Sequence, residues 1–467
     1  MKHFTYYNKF KRSHLIADIK TIYKTKNTYY FKHKEISITG RVLRRRSMGK
    51  STFLEIKDFS SSIQLFLSNN NIESYKEIIN SINLGDIIGV VGIVFKTKTK
   101  ELTLLVRKIY ILSKNYQKFP DKRFGLVDKE LCYRQRYLDL IFNDNSKNLF
   151  ILRSNLISSI RNFFINKNFI EVETPIIQKI AGGADAEPFK TYHNSLNANL
   201  YFRISPELYL KRLIVGGIEK VFEIGKVFRN EGMSTKHHPE FTMIEFYQAY
   251  ANYQDFIELT ENLFKHLVKR FFDSYKIEYD NIILDFSTKF HKLNFYASII
   301  KYCKDFTEDT LFDTEKITDF LNKNNIQYDK TNDINDFHVI LFDNFVEKNL
   351  IEPTFILHYP VYISPLSRCT DFNKNLVERF ELYICTKEIA NGFSELNDPT
   401  EQAIRFKKQI KDLNAIALHY DYDYINALKY GMPPAAGEGI GLDRLIMLFT
   451  NSKSIKDVIL FPFMRDK

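Results

Sequence analysis

The sequence predicts an α+β protein of two unequal domains, a small five-stranded barrel followed by a larger mixed domain. Three observations carry that expectation. Between Ile36 and Ile111, short β-rich runs alternate with turn residues. Beyond the polar stretch that starts near Asn115, helical periodicities and strand-like runs interleave. A chain of 467 residues also exceeds what one compact core accommodates.

Composition narrows the class. Hydrophobic residues at 44% and charged residues at 26% are ordinary for a globular enzyme and exclude a largely disordered chain. A formal charge of +11 favours a polyanionic partner such as nucleic acid, although uniformly Lys-rich coding would give the same balance, so motifs must decide. Cys132, Cys303, Cys369 and Cys385 are scattered without a CxxC pair or a neighbouring His cluster, which suggests neither zinc nor disulfides and fits a reducing, cytoplasmic compartment. No signal peptide is expected in the first twenty residues. The longest apolar run, Ile87 to Phe95, is far short of the ~20 residues of a membrane span and reads as a buried strand.

Residues 1–30 form a basic, aromatic extension of weak periodicity, helical or flexible, which could touch nucleic acid or be a mere tail. Residues 31–114 supply the barrel, with strands expected at Ile36–Val42, Phe53–Lys57, Ile63–Leu67, Ile87–Phe95 and Leu102–Ile111, a number and size compatible with an OB-fold. The stretch 115–145, with Pro120 and Gly125, is expected to be a linker. In the large domain, 146–467, Leu149, Leu152, Leu156, Ile160 and Phe163 predict a helix running to about Asn166. Strands follow at Phe169–Glu173, Tyr201–Ile204, Lys220–Arg229, Thr242–Tyr250 and Arg379–Ile384, and a largely helical insertion is expected over 253–352.

Two nucleotide motifs fail on inspection. Gly49-Lys50-Ser51 resembles the end of a phosphate loop, but Arg44 stands where its first glycine belongs. Gly437, Gly439 and Gly441 alternate, yet Leu442 replaces the third glycine of a dinucleotide fingerprint. A different constellation survives. KVFRNEGMSTKHHPEFTMIEFYQAY, residues 226–250, reads as a charged hairpin in which Arg229 and Glu231 share one strand face, suiting a phosphate beside an amino group, and Met243, Glu245 and Tyr247 align. A surface ion pair is the alternative for any one of them. Glu381 in RFELYI and Glu388 in KEIANGFSEL could fold back as antiparallel neighbours and, with a cation between them, suit Mg²⁺; a solvated sheet face is the alternative. GEGIGLDRLIMLF places glycines where the backbone must approach something closely and sets Arg444 at the start of an apolar helix.

FIEVETPII around Pro175, RISPELYLKRL, FRNEG with HPEF, EIANGFSELND and GIGLDR with Arg444 lie within a match that runs from about Ile36 to the end of the chain. Together they resemble the class II aminoacyl-tRNA synthetases, and among them the lysine enzymes of bacterial type. That resemblance implies an antiparallel catalytic sheet flanked by helices, an OB-fold anticodon domain, and a two-fold homodimer built on the helix before Pro175 and the strand that follows it. It implies ATP, Mg²⁺, L-lysine and tRNA(Lys) as ligands. Arg229 would hold the lysine carboxylate and the α-phosphate, Glu231 the adenine amino group, Phe241 and Arg444 the adenine faces, and Arg444 with His237 the distal phosphates. Arg229, Glu231 and Arg444 would thus be the catalytic set, and His238 falls in the ATP-binding motif. Glu381 and Glu388 would bind the metal.

For lysine, the resemblance implies Glu245, Tyr247 and Glu395 at the ε-ammonium, Gly183 and Glu207 at the α-amino group, and Asn391 with Phe393 along the wall. Carboxylates there suit an ammonium that is costly to bury unpaired. Phe53, Gln64 and Glu101 would read the anticodon. Three residues depart from the family pattern: Glu187 where a basic residue is common, His238 where Asn is usual, and Glu438 where a large apolar residue is usual. The alternatives are an aspartyl or asparaginyl enzyme of the same class, a paralogue that lysylates a protein, and a catalytically inactive RNA-binding relative.

Overall fold

The computed structural model describes residues 7–25, 31, 34–117, 126, 128–329, 331–412 and 420–466. The chain divides into two compact units, residues 1–127 and 128–467. Pro120 and Gly125 of the expected linker, and residues 1–6 and 26–30 of the expected extension, lie outside the described residues.

In the first unit, β1 (Ile36–Met48), β2 (Ser51–Lys57), β3 (Ser62–Ser68), β4 (Ile87–Lys96) and β5 (Leu102–Ser113) close a barrel in the order β1-β2-β3-β5-β4. The long β1 closes it by pairing with β4 through residues 36–41 and with β2 through residues 41–48, with a register shift between Val42 and Arg44. Alternation sorts the side chains. Leu54, Ile56, Ile63 and Leu65 are buried inside, while Phe53, Glu55 and Gln64 stay on the outer face. Gly49 and Lys50, the false phosphate loop, are the turn between β1 and β2, where Gly49 takes φ +54°. Much of the expected extension is barrel: α1 (Ile16–Thr25) sends Ile16 and Ile19 into the core, as α2 (Tyr75–Ser81) does Tyr75 and Ile79. Two inward residues were too few to register as a helical period.

The second unit begins at Asp128, ahead of the expected boundary at 146. Residues expected to be linker form α3 (Lys129–Arg134) and α4 (Arg136–Phe142). Their anchor is Arg136, 3% exposed, which donates to Asp139 at 2.6 Å and to the Leu460 carbonyl at 2.9 Å. Charged side chains read as surface in a sequence, and these two are core.

After α5 (Asp144–Ile165), the short β6 (Ile170–Glu171) leads to a small sheet of β7 (Ile177–Gln178), β8 (Lys190–His193) and β9 (Ala198–Phe202). Then come α6 (Glu207–Val215), β10 (Lys220–Phe228), β11 (Glu240–Ala249) and α7 (Tyr253–Phe272). The hairpin β12 (Lys276–Tyr279) and β13 (Ile282–Asp285) precedes β14 (His291–Asn294), α8 (Phe295–Tyr302), α9 (Thr314–Lys323) and α10 (Ile334–Leu341). The chain closes through β15 (Thr354–Leu357), β16 (Arg379–Ile384), β17 (Lys387–Ser394), α11 (Pro399–Asp412), α12 (Tyr422–Lys429), β18 (Ala435–Gly441), α13 (Leu442–Phe449) and α14 (Ile455–Val458).

Eight strands form one sheet in the order β14-β15-β16-β17-β18-β11-β10-β6, antiparallel except for the parallel pair at each edge. One face packs on α5, α7 and α13. Phe164 lies 5.4 Å from Phe222 and 4.5 Å from Phe246, whose ring stacks on Phe256 at 5.3 Å. Such pairs are each worth about 0.5–1.5 kcal/mol beyond their area. The expected insertion is narrower than 253–352, because α7 belongs to this core and β14 extends the sheet; α8, α9 and α10 gather around a cluster of their own.

Candidate active site

The other face of the sheet is the floor of a cavity of about 400 Å³. Period two decides which residues reach it. Along β11, Met243, Glu245 and Tyr247 face the cavity while Ile244 and Phe246 enter the core. On β18 the alternating glycines 437 and 439 face the same way, and they must be glycines: a Cβ on Gly437 would overlap the Tyr247 ring and Glu395, and one on Gly439 would press on Met243 at 2.9 Å. The close approach expected of these glycines is therefore to side chains of the neighbouring strands.

At one end stand the groups expected for a nucleotide. Strand β10 stops at Phe228, so Arg229 and Glu231 lie in the connection beyond it and not on a strand face. Arg229 remains anchored, its amide donating to the Pro239 carbonyl at 2.9 Å. Its guanidinium sits 5.3 Å from the Phe241 ring, and its Nε is buried without a hydrogen-bond partner among the described residues. Arg444, in the first turn of α13, donates to the Glu388 carbonyl at 2.7 Å and lies 3.1 Å from His237 Nε2. Burial, then the nearby Arg444 cation, holds the His237 imidazole below its usual range, so it is neutral at pH 7 and accepts from Arg444.

His238 lies on the wall, but both ring nitrogens are taken, Nδ1 by the Glu240 carbonyl at 2.5 Å and Nε2 by the Phe463 amide at 2.8 Å. It offers no free nitrogen to a ligand and pins the C-terminal segment beside the hairpin. Glu187 is exposed and its carbonyl accepts from the Asn230 amide at 2.7 Å. Glu438 points away from the cavity, since it is out of phase with the glycines, and both its oxygens lie on the Thr260 hydroxyl at 2.7 and 2.6 Å.

The opposite end is buried. Glu245 is 4% exposed; its oxygens accept from Ser205 Oγ at 2.7 Å and Tyr247 Oη at 2.9 Å. Burial, then the Glu207 charge, pushes its carboxyl up to about 8. Gly183, at φ +88°, lets the loop lie against Glu207 and Ser205, where a Cβ would come within 3.0–3.1 Å. Asn391 and Phe393 of β17 complete this wall. Glu395 sits behind it: wholly buried, beneath Gly437, and ion-paired to Lys211.

The two candidate metal ligands do not meet as direct cross-strand partners. Glu381 pairs with Asn391 and Glu388 with Tyr383, which makes the carboxylates diagonal neighbours. Both line the cavity. Glu381 is held by Tyr359 at 2.8 Å, Tyr383 at 2.7 Å and Arg379 at 2.5 Å, while Glu388 is 40% exposed beside Arg444. Arg379, Ser205 and Lys211 were not singled out from the sequence. All three lie in motifs already quoted: Ser205 two residues before Glu207 and Lys211 four residues after it in RISPELYLKRL, and Arg379 at the start of RFELYI.

On the barrel, Phe53 and Gln64 share the outer face of β2 and β3, and Glu101 precedes β5. Gln64 Nε2 donates to Thr103 Oγ1 at 3.0 Å. Phe66 and Phe95 join Phe53 there, with ring centroids 5.0 and 6.3 Å apart in succession. The same alternation that selects Gln64 on β3 points to Phe66.

A family model described as tRNA synthetases class II (D, K and N) matches residues 128–465, and one described as an OB-fold nucleic acid binding domain matches residues 36–112. The lysine–tRNA ligase of Wigglesworthia glossinidia brevipalpis is 50% identical over 465 residues, 98% of this chain and 94% of its own length. The chain belongs to the class II lysyl-tRNA synthetase family. The lysine–tRNA ligases of Legionella pneumophila (strain Lens) and of Buchnera aphidicola from Acyrthosiphon pisum are 48% and 47% identical, each aligned with 99% of this chain and with 94% and 93% of their own length. The resemblance drawn from the motifs and the OB-fold plus class II architecture both hold.

Proposed function

We infer that this enzyme activates L-lysine with ATP and transfers the lysyl group to the 3′ end of tRNA(Lys). One observation carries the site reading: the half-buried Arg229, whose buried Nε has no hydrogen-bond partner among the described residues, lies between an open end rich in cations and a buried end rich in carboxylates. A dipolar amino acid with a second ammonium fits that polarity, its carboxylate on Arg229 and its ammonium groups toward Glu207 and Glu245, with Glu395 behind them.

The lysine carboxylate then attacks the α-phosphorus in line; its oxygen–phosphorus bond forms as the bond to pyrophosphate breaks. Arg229 offsets the charge that develops on the α-phosphoryl oxygens. Arg444 and neutral His237 receive the distal phosphates, Phe241 and Arg444 enclose the adenine, and Glu231 accepts from its amino group. His238 acts by positioning that loop. No protein base is required, because the nucleophile is already ionised and placement supplies much of the rate. Glu381 and Glu388 suit Mg²⁺, being hard oxygen donors on adjacent strands at the phosphate end, and the ion would there offset phosphate charge. In the second step the terminal tRNA hydroxyl attacks the lysyl carbonyl and AMP leaves.

The barrel face of Phe53, Gln64 and Glu101 suits single-stranded bases, by stacking and edge contacts. Ile165 at the end of α5, Ile170 on the edge strand β6, and Ile176 and Ile177 at β7 are exposed apolar side chains that a second copy of the chain would cover, so we assign a homodimer. Among the described residues no helix is long and apolar enough to cross a membrane. Among the described residues no disulfide joins Cys132, Cys303, Cys369 or Cys385, which agrees with a cytoplasmic setting. Pyrophosphate exchange tests the activity: lysine should stimulate it, and stimulation by aspartate or asparagine in its place would overturn the reading. Sedimentation at the dimer mass, or at the monomer mass, tests the assembly.

A further inference from the structure

Behind the buried end of the cavity lies a cation that the activation chemistry does not use. Lys211, on α6, is wholly buried, four residues after Glu207. Its Nζ lies 3.0 Å from Glu207 Oε1, is ion-paired to Glu395 Oε2, and rests 5.6 Å from the rings of both Phe393 and Tyr424. A buried ammonium is costly, and it is retained here where carboxylates and aromatic faces compensate it.

We propose that Lys211 is the internal counter-ion of the lysine pocket, a positioning residue that favours the ionised forms of Glu207 and Glu395 and trims the pocket to the charge of lysine's two ammonium groups. The inference rests on the assignment of this pocket to lysine. Three carboxyl groups converge, Glu207, Glu245 and Glu395; with all three ionised around bound lysine, one internal cation leaves a net charge of minus two. The other groups facing them are Tyr247 from β11, Tyr424 from α12 and Arg379 from β16, with Arg229 at the mouth. Arg379 is committed to Glu381 and Arg229 to the substrate carboxylate, so neither can take over from Lys211. With Lys211 removed, three buried carboxylates would share two ammonium groups, and one would have to stay protonated. Burial and mutual repulsion already hold Glu245 and Glu395 up at about 8 in the empty pocket, so losing the cation moves the pH limb for lysine further to the alkaline side.

The test is lysine-dependent pyrophosphate exchange by full-length K211M and K211M/E395Q across pH 6.5–9.5. K211M should raise KM for lysine by about a hundredfold, leave KM for ATP within about twofold, and shift the pH limb of kcat/KM for lysine alkaline by about one unit. K211M/E395Q, which removes cation and anion together, should return the limb to the wild-type position with partial recovery of KM. Should K211M fail to fold, the double variant decides alone: a wild-type limb supports the proposal and a limb displaced by a unit overturns it. An unmoved limb in K211M, or equal rises in KM for lysine and ATP, means that Lys211 only fills space. If wild-type enzyme responds to another amino acid and not to lysine, the pocket assignment fails, which is a separate outcome.

Discussion

The two ends of the cavity differ in exposure to solvent. At the nucleotide end Glu231 and His237 are exposed and Glu388 is 40% exposed, whereas at the amino-acid end Glu207, Glu245, Glu395 and Lys211 are buried. Phosphates carry their own charge and can be met by cations that stay solvated. An ammonium can be distinguished from a methyl only where unpaired carboxylates are costly. Exposed groups should therefore govern rate and buried ones amino-acid choice.

The sharpest break of that contrast is at the boundary, Arg229. Arg229→Ala should lower pyrophosphate exchange by about a thousandfold or more, since the lost charge acts on the transition state in a partly buried site, while tRNA binding by filter assay stays near wild type. Near-normal exchange would remove Arg229 from the chemistry. Glu245→Gln probes the buried end alone. KM for lysine should rise about a hundredfold with KM for ATP nearly constant; matched rises would mean that the two ends are not separable. Phe53→Ala moves the test to the barrel, where one stacked base is worth about 1–3 kcal/mol, so charging of tRNA should fall roughly tenfold or more with exchange unchanged.

The smallest expected effect concerns stability. Glu438 lies in the apolar core with one hydroxyl for two oxygens, and burial holds its carboxyl well above the usual range. A folded-state value raised above the unfolded one gives stability that is complete below about pH 4.3 and is lost as pH rises above it. Glu438→Gln should thus be close to neutral at pH 4 and raise the melting temperature at pH 8, by about 1–3 kcal/mol of stability, with unchanged exchange. A fall in melting temperature at pH 8 would mean that the carboxylate is ionised and compensated.

Alternation made much of this legible in the sequence. The strand expected at Arg379–Ile384 is β16 to the residue, and the aligned Met243, Glu245 and Tyr247 do face one cavity. What stayed hidden were buried charges. Arg136 with Asp139 turned a supposed linker into two docked helices. Lys211 on an amphipathic helix reads as a solvated lysine until Glu395, 184 positions further along the chain, is folded onto it. Alternation also gives no partner order, so the diagonal placement of Glu381 and Glu388, set by the register of β16 on β17, was beyond it.

The contrast between ends has one direct thermodynamic consequence. Glu245, held up at about 8 when the pocket is empty, must ionise when an ammonium arrives. Calorimetric titration of L-lysine into the enzyme at pH 7, repeated in buffers of different ionisation enthalpy, counts the protons released. Release of close to one proton or more, with affinity strengthening as pH rises toward 8, is the expected result. Binding without proton release and with no change in affinity between pH 6.5 and 8 would contradict a buried carboxylate pocket as the basis of lysine selection.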